Sequence, residues 1–264
     1  MSLRHPRKHD YRIAAIFLVV AAALVYSGIR LWQYNRNYRP KVDVSGYEVR
    51  GIDISAHNGD IDFAKVKQDS IDFIFIKASE GTDFRDKKFV ANYDSAANYG
   101  IPAGAYHFFR YDKDGVEQAV NLHKALDGRN PTLGVVIDLE DTGNPNDGIP
   151  DVVVHNLFEM IDYLNLCGLR VMIYTNKDGY NQFLRKEFSG FPLWICSFKQ
   201  NPIDAEWTFW QYNHWGNVKG INGYVDLNVY NGTRLAWNNL LNSLSPPDSG
   251  SPDAESIIIK DTIR

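Results

Sequence analysis

Residues 136–141 read Val-Ile-Asp-Leu-Glu-Asp and close a run, Gly134 to Glu140, that is rich in β-branched residues and short enough to be a buried strand. A period of two puts Asp138 and Glu140 on the same face, about 7 Å apart at Cβ, beneath otherwise apolar residues. Burial and mutual repulsion raise the pKa of at least one carboxyl in such a pair. For an isolated Asp-x-Glu the ordinary reading is a helix cap or a partner for a backbone amide. The rest of the chain decides between the two.

Working outward, similar runs recur at Gly51 to Ser55, Asp72 to Ala78, Ala103 to Phe109, Arg170 to Thr175 and Leu193 to Phe198. Helical periodicity fills the gaps between the first five, in stretches such as Asp62 to Gln68, Lys88 to Tyr99, Gly115 to Leu126 and Pro150 to Cys167. Strand and helix alternate, as in parallel α/β folds. After Phe198, Trp207 to Tyr212 and Tyr224 to Tyr230 still read as strands, but Asn- and Gly-rich loops connect them. Eight strands with about five full helices predict a β/α-barrel, TIM-like, with helices missing after its last strands. An open doubly wound sheet shares the early pattern. No Gly-rich phosphate loop follows any strand, which argues against nucleotide binding.

A barrel gathers its site at the C-terminal ends of its strands. Asp53 closes the first strand, Lys77 and Glu80 follow the second, and Asp226 sits in the last. With Asp138 and Glu140 they make four strands that end in charge, and a protonated and an ionised carboxyl in the 138/140 pair could cleave a glycosidic bond. Tyr106, His107, Tyr174, Trp194, Trp210, Gln211 and Tyr212 stand at neighbouring strand ends. His107 alone is a weak candidate, since a lone histidine near a core is more often structural.

Composition narrows the classes. The chain of 264 residues is 44% hydrophobic, enough for one sizeable core, and its formal charge is −4. Residues 1–12 are net basic, so the remainder is more acidic than the whole, which argues against nucleic acid. Fifteen Tyr and six Trp exceed what a core strictly needs, although core filling takes most of them. The two cysteines, Cys167 and Cys196, have no metal-ligand spacing, and no metal or cofactor is implied. Both sit in apolar runs, which favours free, buried thiols, although outside the cytoplasm a disulfide is permitted.

From Ile13 to Leu31 the chain is apolar apart from Tyr26, Ser27, Gly28 and Arg30, long enough to cross a bilayer. The expected organisation is a cytoplasmic basic tail (1–12), a transmembrane anchor (13–32), a linker (33–48), the barrel domain (49–242) and a disordered tail (243–264). The basic flank places the N-terminus in the cytoplasm and the domain outside it, giving a single-pass membrane protein. A cleaved signal peptide is the rival, with Ala21-Ala22-Ala23 as a processing site, but the apolar run continues well past those alanines. The domain is exported on either reading. A monomer is the default expectation.

The motifs GIDIS (51–55), FIKASEGTDF (75–84), GAYHFF (104–109), VIDLED (136–141), MIYTN (172–176), PLWICSF (192–198), WQY (210–212) and GYVDLNVYNG (223–232) occur in order across nearly the whole domain. Together they resemble the lysozyme-like N-acetylmuramidases of glycoside hydrolase family 25. The resemblance implies a β/α-barrel that hydrolyses the β-1,4 bond between N-acetylmuramic acid and N-acetylglucosamine in peptidoglycan. By motif position Glu140 would be the general acid and Asp138 the partner that stabilises positive charge or orients the acetamido group. Asp53 and Asp226 would complete the acidic floor. Tyr106, Tyr174 and Trp210 would line the saccharide groove, with Lys77, Gln211 and His107 as neighbours. Ala56-His57-Asn58-Gly59 departs from the family's usual aromatic-Gln pair, so contacts near Asp53 are expected to differ. A catalytically silent wall-glycan binding protein and a hydrolase of another acetylated glycan such as chitin are the alternatives.

Overall fold

The computed structural model describes residues 8–37, 42–145 and 149–244. They belong to two compact units, Met1–Lys41 and Val42–Arg264. The described residues of the first form one helix, α1 (Lys8–Asn37), unbroken by proline. Its stretch Ala15–Trp32 is apolar and wholly unburied, with the length and composition of a membrane span or an N-terminal signal sequence. Helix α1 extends beyond the predicted anchor at both ends, because nothing in residues 8–12 or 33–37 disfavours helix.

The second unit is a closed barrel. Strands β1 (Arg50–Ile54), β2 (Phe73–Glu80), β4 (Ala103–Phe108), β5 (Val135–Asp138), β6 (Val171–Asn176), β7 (Leu193–Cys196), β8 (Phe209–Gly216) and β9 (Val225–Tyr230) form its wall, and the two-residue β3 (Phe84–Arg85) pairs back onto the end of β2. The sheet closes because β1 pairs with both β2 and β9. From β1 through β8 the wall is parallel, but β9 runs antiparallel to both neighbours. Helices α2 (Phe63–Gln68), α3 (Phe89–Asn98), α4 (Gly115–Leu126) and α5 (Pro150–Leu166) cover it. They start where the sequence supplies caps: the Asp62 and Asp114 side chains accept from the amides of Lys65 and Glu117, and Pro150 opens α5. After β6 the chain makes only a short helical turn, α6 (Lys177–Gly179), that runs into a π-helical turn, Tyr180–Leu184.

Alternation along the strands divides the apolar residues into two layers. Ile52, Ile74, Ile76, Val135, Ile137 and Ile173 face outward under the helices. Phe73, Phe75, Val136, Met172, Trp194 and Phe209 fill the interior. Trp194 stacks on Phe75 at 4.4 Å between centroids. Gly51 and Gly104 make room for these rings, since a Cβ at either would fall 2.3 Å or 2.5 Å from the Phe73 and Phe75 rings. The barrel is therefore solid below its site, and much of the aromatic excess is core.

The sequence reading ended the domain's helices early, yet a last helix, α7 (Arg234–Leu244), follows β9. Trp237, Leu240, Leu241 and Leu244 pack into the interior cluster, and Arg234 anchors the helix through both carboxylate oxygens of Asp72. The predicted tail lies outside the described residues from position 245 onward. Of the predicted linker, residues 42–48 belong to the barrel unit. Val42, Val44 and Tyr47 pack on the outer cluster, with the Tyr47 ring 5.8 Å from Trp207.

Candidate active site

The C-terminal ends of the parallel strands surround a cleft of about 290 Å³ lined by Asp53, Tyr106, Asp138, Glu140, Thr142, Tyr174, Trp194, Gln211, His214 and Asp226. Asp53 is the penultimate residue of β1 and Asp138 the last of β5, with Glu140 two residues further in the loop and also lining the cleft. Asp226 reaches the cleft differently. It stands at the beginning of β9, not at a strand's end, and arrives at the same mouth because β9 is reversed and pairs Asp226 with Asp53. The loop bearing Glu140 is braced from both sides. Asn144 donates to the carbonyls of Phe109 and Glu140 at 2.9 Å and 2.8 Å, and the Thr175 hydroxyl donates to the Leu139 carbonyl at 2.6 Å.

Below the mouth lies a chain of buried donors. The Tyr174 hydroxyl donates to Gln211 Oε1 at 2.8 Å, Gln211 Nε2 donates to Asp53 Oδ2 at 2.9 Å, and Asn228 Nδ2 donates to the same oxygen at 2.8 Å. Trp194 Nε1 in turn donates to Asn228 Oδ1 at 2.8 Å. The Trp194 N–H can only donate, so it fixes which way the Asn228 amide points. Desolvation nevertheless holds Asp53 well above the usual carboxylate range, assisted by Asp226 and opposed by the Asn228 and Gln211 donors.

Asp138 is likewise raised well above its usual value, first by burial and then by Glu140, with Lys77 opposing. Its Oδ1 is buried and has no hydrogen-bond partner among the described residues. Glu140 is raised by partial burial, while the His214 imidazole is the largest influence in the other direction. It remains the more accessible of the two and can exchange protons with solvent. Tyr106 and Tyr174 are held as neutral phenols by burial and the surrounding carboxylates.

Asp53, Tyr106, Asp138, Glu140, Tyr174, Gln211 and Asp226 thus come together from the sequence-predicted set. Two others do not. His107 follows Tyr106 and so points out of the barrel, where its ring nitrogens meet Ser79 Oγ at 2.8 Å and Gln118 Oε1 at 3.3 Å. Burial pushes its pKa down to about 4, so it is a neutral core imidazole. Trp210 precedes Gln211 and faces outward too, donating to the Ser197 carbonyl at 2.8 Å and lying against Tyr47 and Trp207. Lys77 stands beside the cleft, paired with Glu80 at 2.7 Å and flanked by the Phe84 and Phe108 rings. The cysteines are free, but Cys167 is exposed at the end of α5, where the apolar run had suggested burial. Cys196 is half-buried, and its thiol is pushed up to about 12. Among the described residues no cluster of His, Cys, Asp or Glu has the arrangement of a metal site.

His214, Thr142 and Asn228 were missed. Asn228 was legible, since it follows Asp226 by two and shares its face. His214 was not, because the pairing of β8 with β9 slips between Gln211 and Asn213 and again between Asn213 and Gly216, which breaks the alternation.

Residues 52–221 match Glycosyl hydrolases family 25. The chain is 31% identical over 212 residues to a Clostridium acetobutylicum protein named autolytic lysozyme, covering 79% of this chain and 63% of that one, so it spans less than two thirds of that relative's length. It is 34% identical over 212 residues to Lysozyme M1 of Streptomyces globisporus, with 72% of this chain and 70% of that protein covered. The solved structure of a family 25 glycosyl hydrolase from Bacillus anthracis superposes with a TM-score of 0.70 at 29% identity, over 77% of this chain and 97% of that one. In sequence and in barrel architecture, the chain belongs to glycosyl hydrolase family 25.

Proposed function

We propose that this protein hydrolyses the β-1,4 bond between N-acetylmuramic acid and N-acetylglucosamine in peptidoglycan, acting outside the cytoplasm from a membrane-anchored barrel. The observation that carries this reading is the pair Asp138 and Glu140 on one face at the cleft mouth, with Asp53 and Asp226 across from it. The names of the lysozyme relatives support the substrate.

Glu140, with its pKa raised and its carboxyl reachable from solvent, gives its proton to the glycosidic oxygen as the bond to the anomeric carbon breaks. Asp138 Oδ1, buried without a donor, accepts the acetamido N–H of the sugar. The acetamido carbonyl oxygen then attacks the anomeric carbon and holds the developing cation. Water opens that intermediate and gives a proton to Glu140, the retaining course that the family resemblance implies. Asp53 and Asp226 maintain the negative potential of the floor.

The test is reducing-end release from purified peptidoglycan, with products identified by mass spectrometry. Wild type releases fragments ending in muramic acid, and Glu140→Gln loses at least about a hundredfold. A folded wild type that binds glycan but releases nothing from peptidoglycan or chitin oligomers sinks the enzyme reading in favour of a binding protein. The anchor reading rests on α1 and the basic residues before it.

A further inference from the structure

The slipped pairing on β8 has a consequence at the rim of the cleft. Asn213 pairs with Leu227 and Gly216 with Val225, so His214 and Trp215 together stand opposite the single residue Asp226. A bulge of this kind turns both side chains toward the face of the residue they oppose. Tyr224 precedes Asp226 by two and belongs to the same face. The contacts agree: His214 Nδ1 lies 2.8 Å from Asp226 Oδ1, and the Trp215 and Tyr224 rings meet edge to face at 5.5 Å. Both aromatics are large and solvent-facing, at 41% and 48% exposure. Their backbone is fixed, with the Trp215 amide donating to Asn213 Oδ1 at 2.6 Å and Asn58 donating to the Tyr224 carbonyl at 3.4 Å. Asn58 belongs to the segment after β1 in which this chain departs from the family pattern.

We propose that Trp215 and Tyr224 form a sugar-binding subsite that extends the cleft outward past Asp226 and takes a further pyranose ring of a long glycan strand. The pair is continuous with the cleft, since its neighbours His214 and Asp226 line it. An exposed, backbone-anchored ring presents a flat apolar face at low entropic cost, which suits the C–H face of a sugar ring, and its perpendicular partner braces it from the side. The inference rests on the glycan-hydrolase reading and adds where a strand longer than the catalytic pocket is held.

The experiment measures calorimetric binding of a tetrasaccharide and an octasaccharide of alternating N-acetylglucosamine and N-acetylmuramic acid. The full-length chain is used in detergent in the uncleaving Glu140→Gln background. Trp215→Ala, Trp215→Tyr and Tyr224→Ala are compared with that background. The expected result is about a tenfold loss for the octasaccharide with either alanine variant, no change for the tetrasaccharide, and recovery with Trp215→Tyr. Equal octasaccharide binding in all four proteins overturns the subsite while leaving the hydrolase reading intact. Failure of the background protein to bind either glycan overturns both.

Discussion

Asp138 carries the sharpest conflict at the residue scale. It is a buried carboxyl with one oxygen unsatisfied, an arrangement that costs stability and is kept where chemistry uses it. Its pKa is raised in the folded protein, so the native state binds the proton more tightly than the unfolded chain does. Asp138's contribution to stability is then fully present below the unfolded value of 3.8 and is lost as pH rises through the raised folded value. Asp138→Asn removes the charge but keeps the shape. We expect it to raise the melting temperature at neutral pH, to lose that advantage in acid, and to lower kcat throughout. A second expectation concerns His214, which holds the Glu140 pKa down. His214→Ala lets Glu140 keep its proton to higher pH, so the alkaline limb of the kcat/KM profile moves upward. A limb that stays in place or moves down contradicts the electrostatic coupling. Asn228 bridges Trp194 and Asp53. Asn228→Ala leaves the buried Trp194 N–H without its partner, at a cost of about 1–3 kcal/mol readable by chemical denaturation.

At the scale of elements, α7 closes the barrel from the end opposite the cleft. Trp237 is buried against Phe73, Phe209 and Tyr230, with centroids 5.5, 6.3 and 5.3 Å away. Trp237→Ala opens a cavity in this layer and is expected to cost about 3–5 kcal/mol in urea unfolding, with kcat unchanged in the surviving folded fraction. Helices α4 and α5 meet at Gly115, where an added Cβ would fall 1.9 Å from the carbonyl oxygen of Asn156. That neighbour is backbone and cannot rotate aside. Gly115→Ala is therefore expected to destabilise the fold by pushing the two helices apart, despite alanine's better helix propensity. A melting temperature equal to or above wild type would contradict this packing.

For the whole molecule, the reversal of β9 completes the site as well as the wall. An all-parallel barrel would offer the cleft only strand C-termini, whereas the antiparallel return carries Asp226 and the β8–β9 rim to the same mouth. Helix α1 and the barrel unit are expected to be recovered together in the membrane fraction and to resist high-salt extraction. A chain found in the soluble fraction, shortened near the Ala21–Ala23 segment, would replace the anchor with a cleaved signal sequence.

The sequence by itself determined the alternation of strands and helices from β1 through β6, because each buried strand and covering helix carries its own hydrophobic period. It also pointed to Asp138 and Glu140 as a pair, since a spacing of two carries the strand's alternation from the last residue of β5 into the loop that follows, and both line the cleft. It brought the apolar N-terminal helix into view through length and composition alone. Tertiary structure decided what depends on pairing between distant segments. The direction of β9 set how Asp226 reaches Asp53, and the β8 bulge set which way His214 and Trp215 face. Tyr106 and His107, like Trp210 and Gln211, are adjacent residues with opposite fates, and local pattern does not say which of two alternating faces lines the lumen. Closure of the barrel makes that choice, because the inward face must fit the limited interior volume and the outward face must meet the helices.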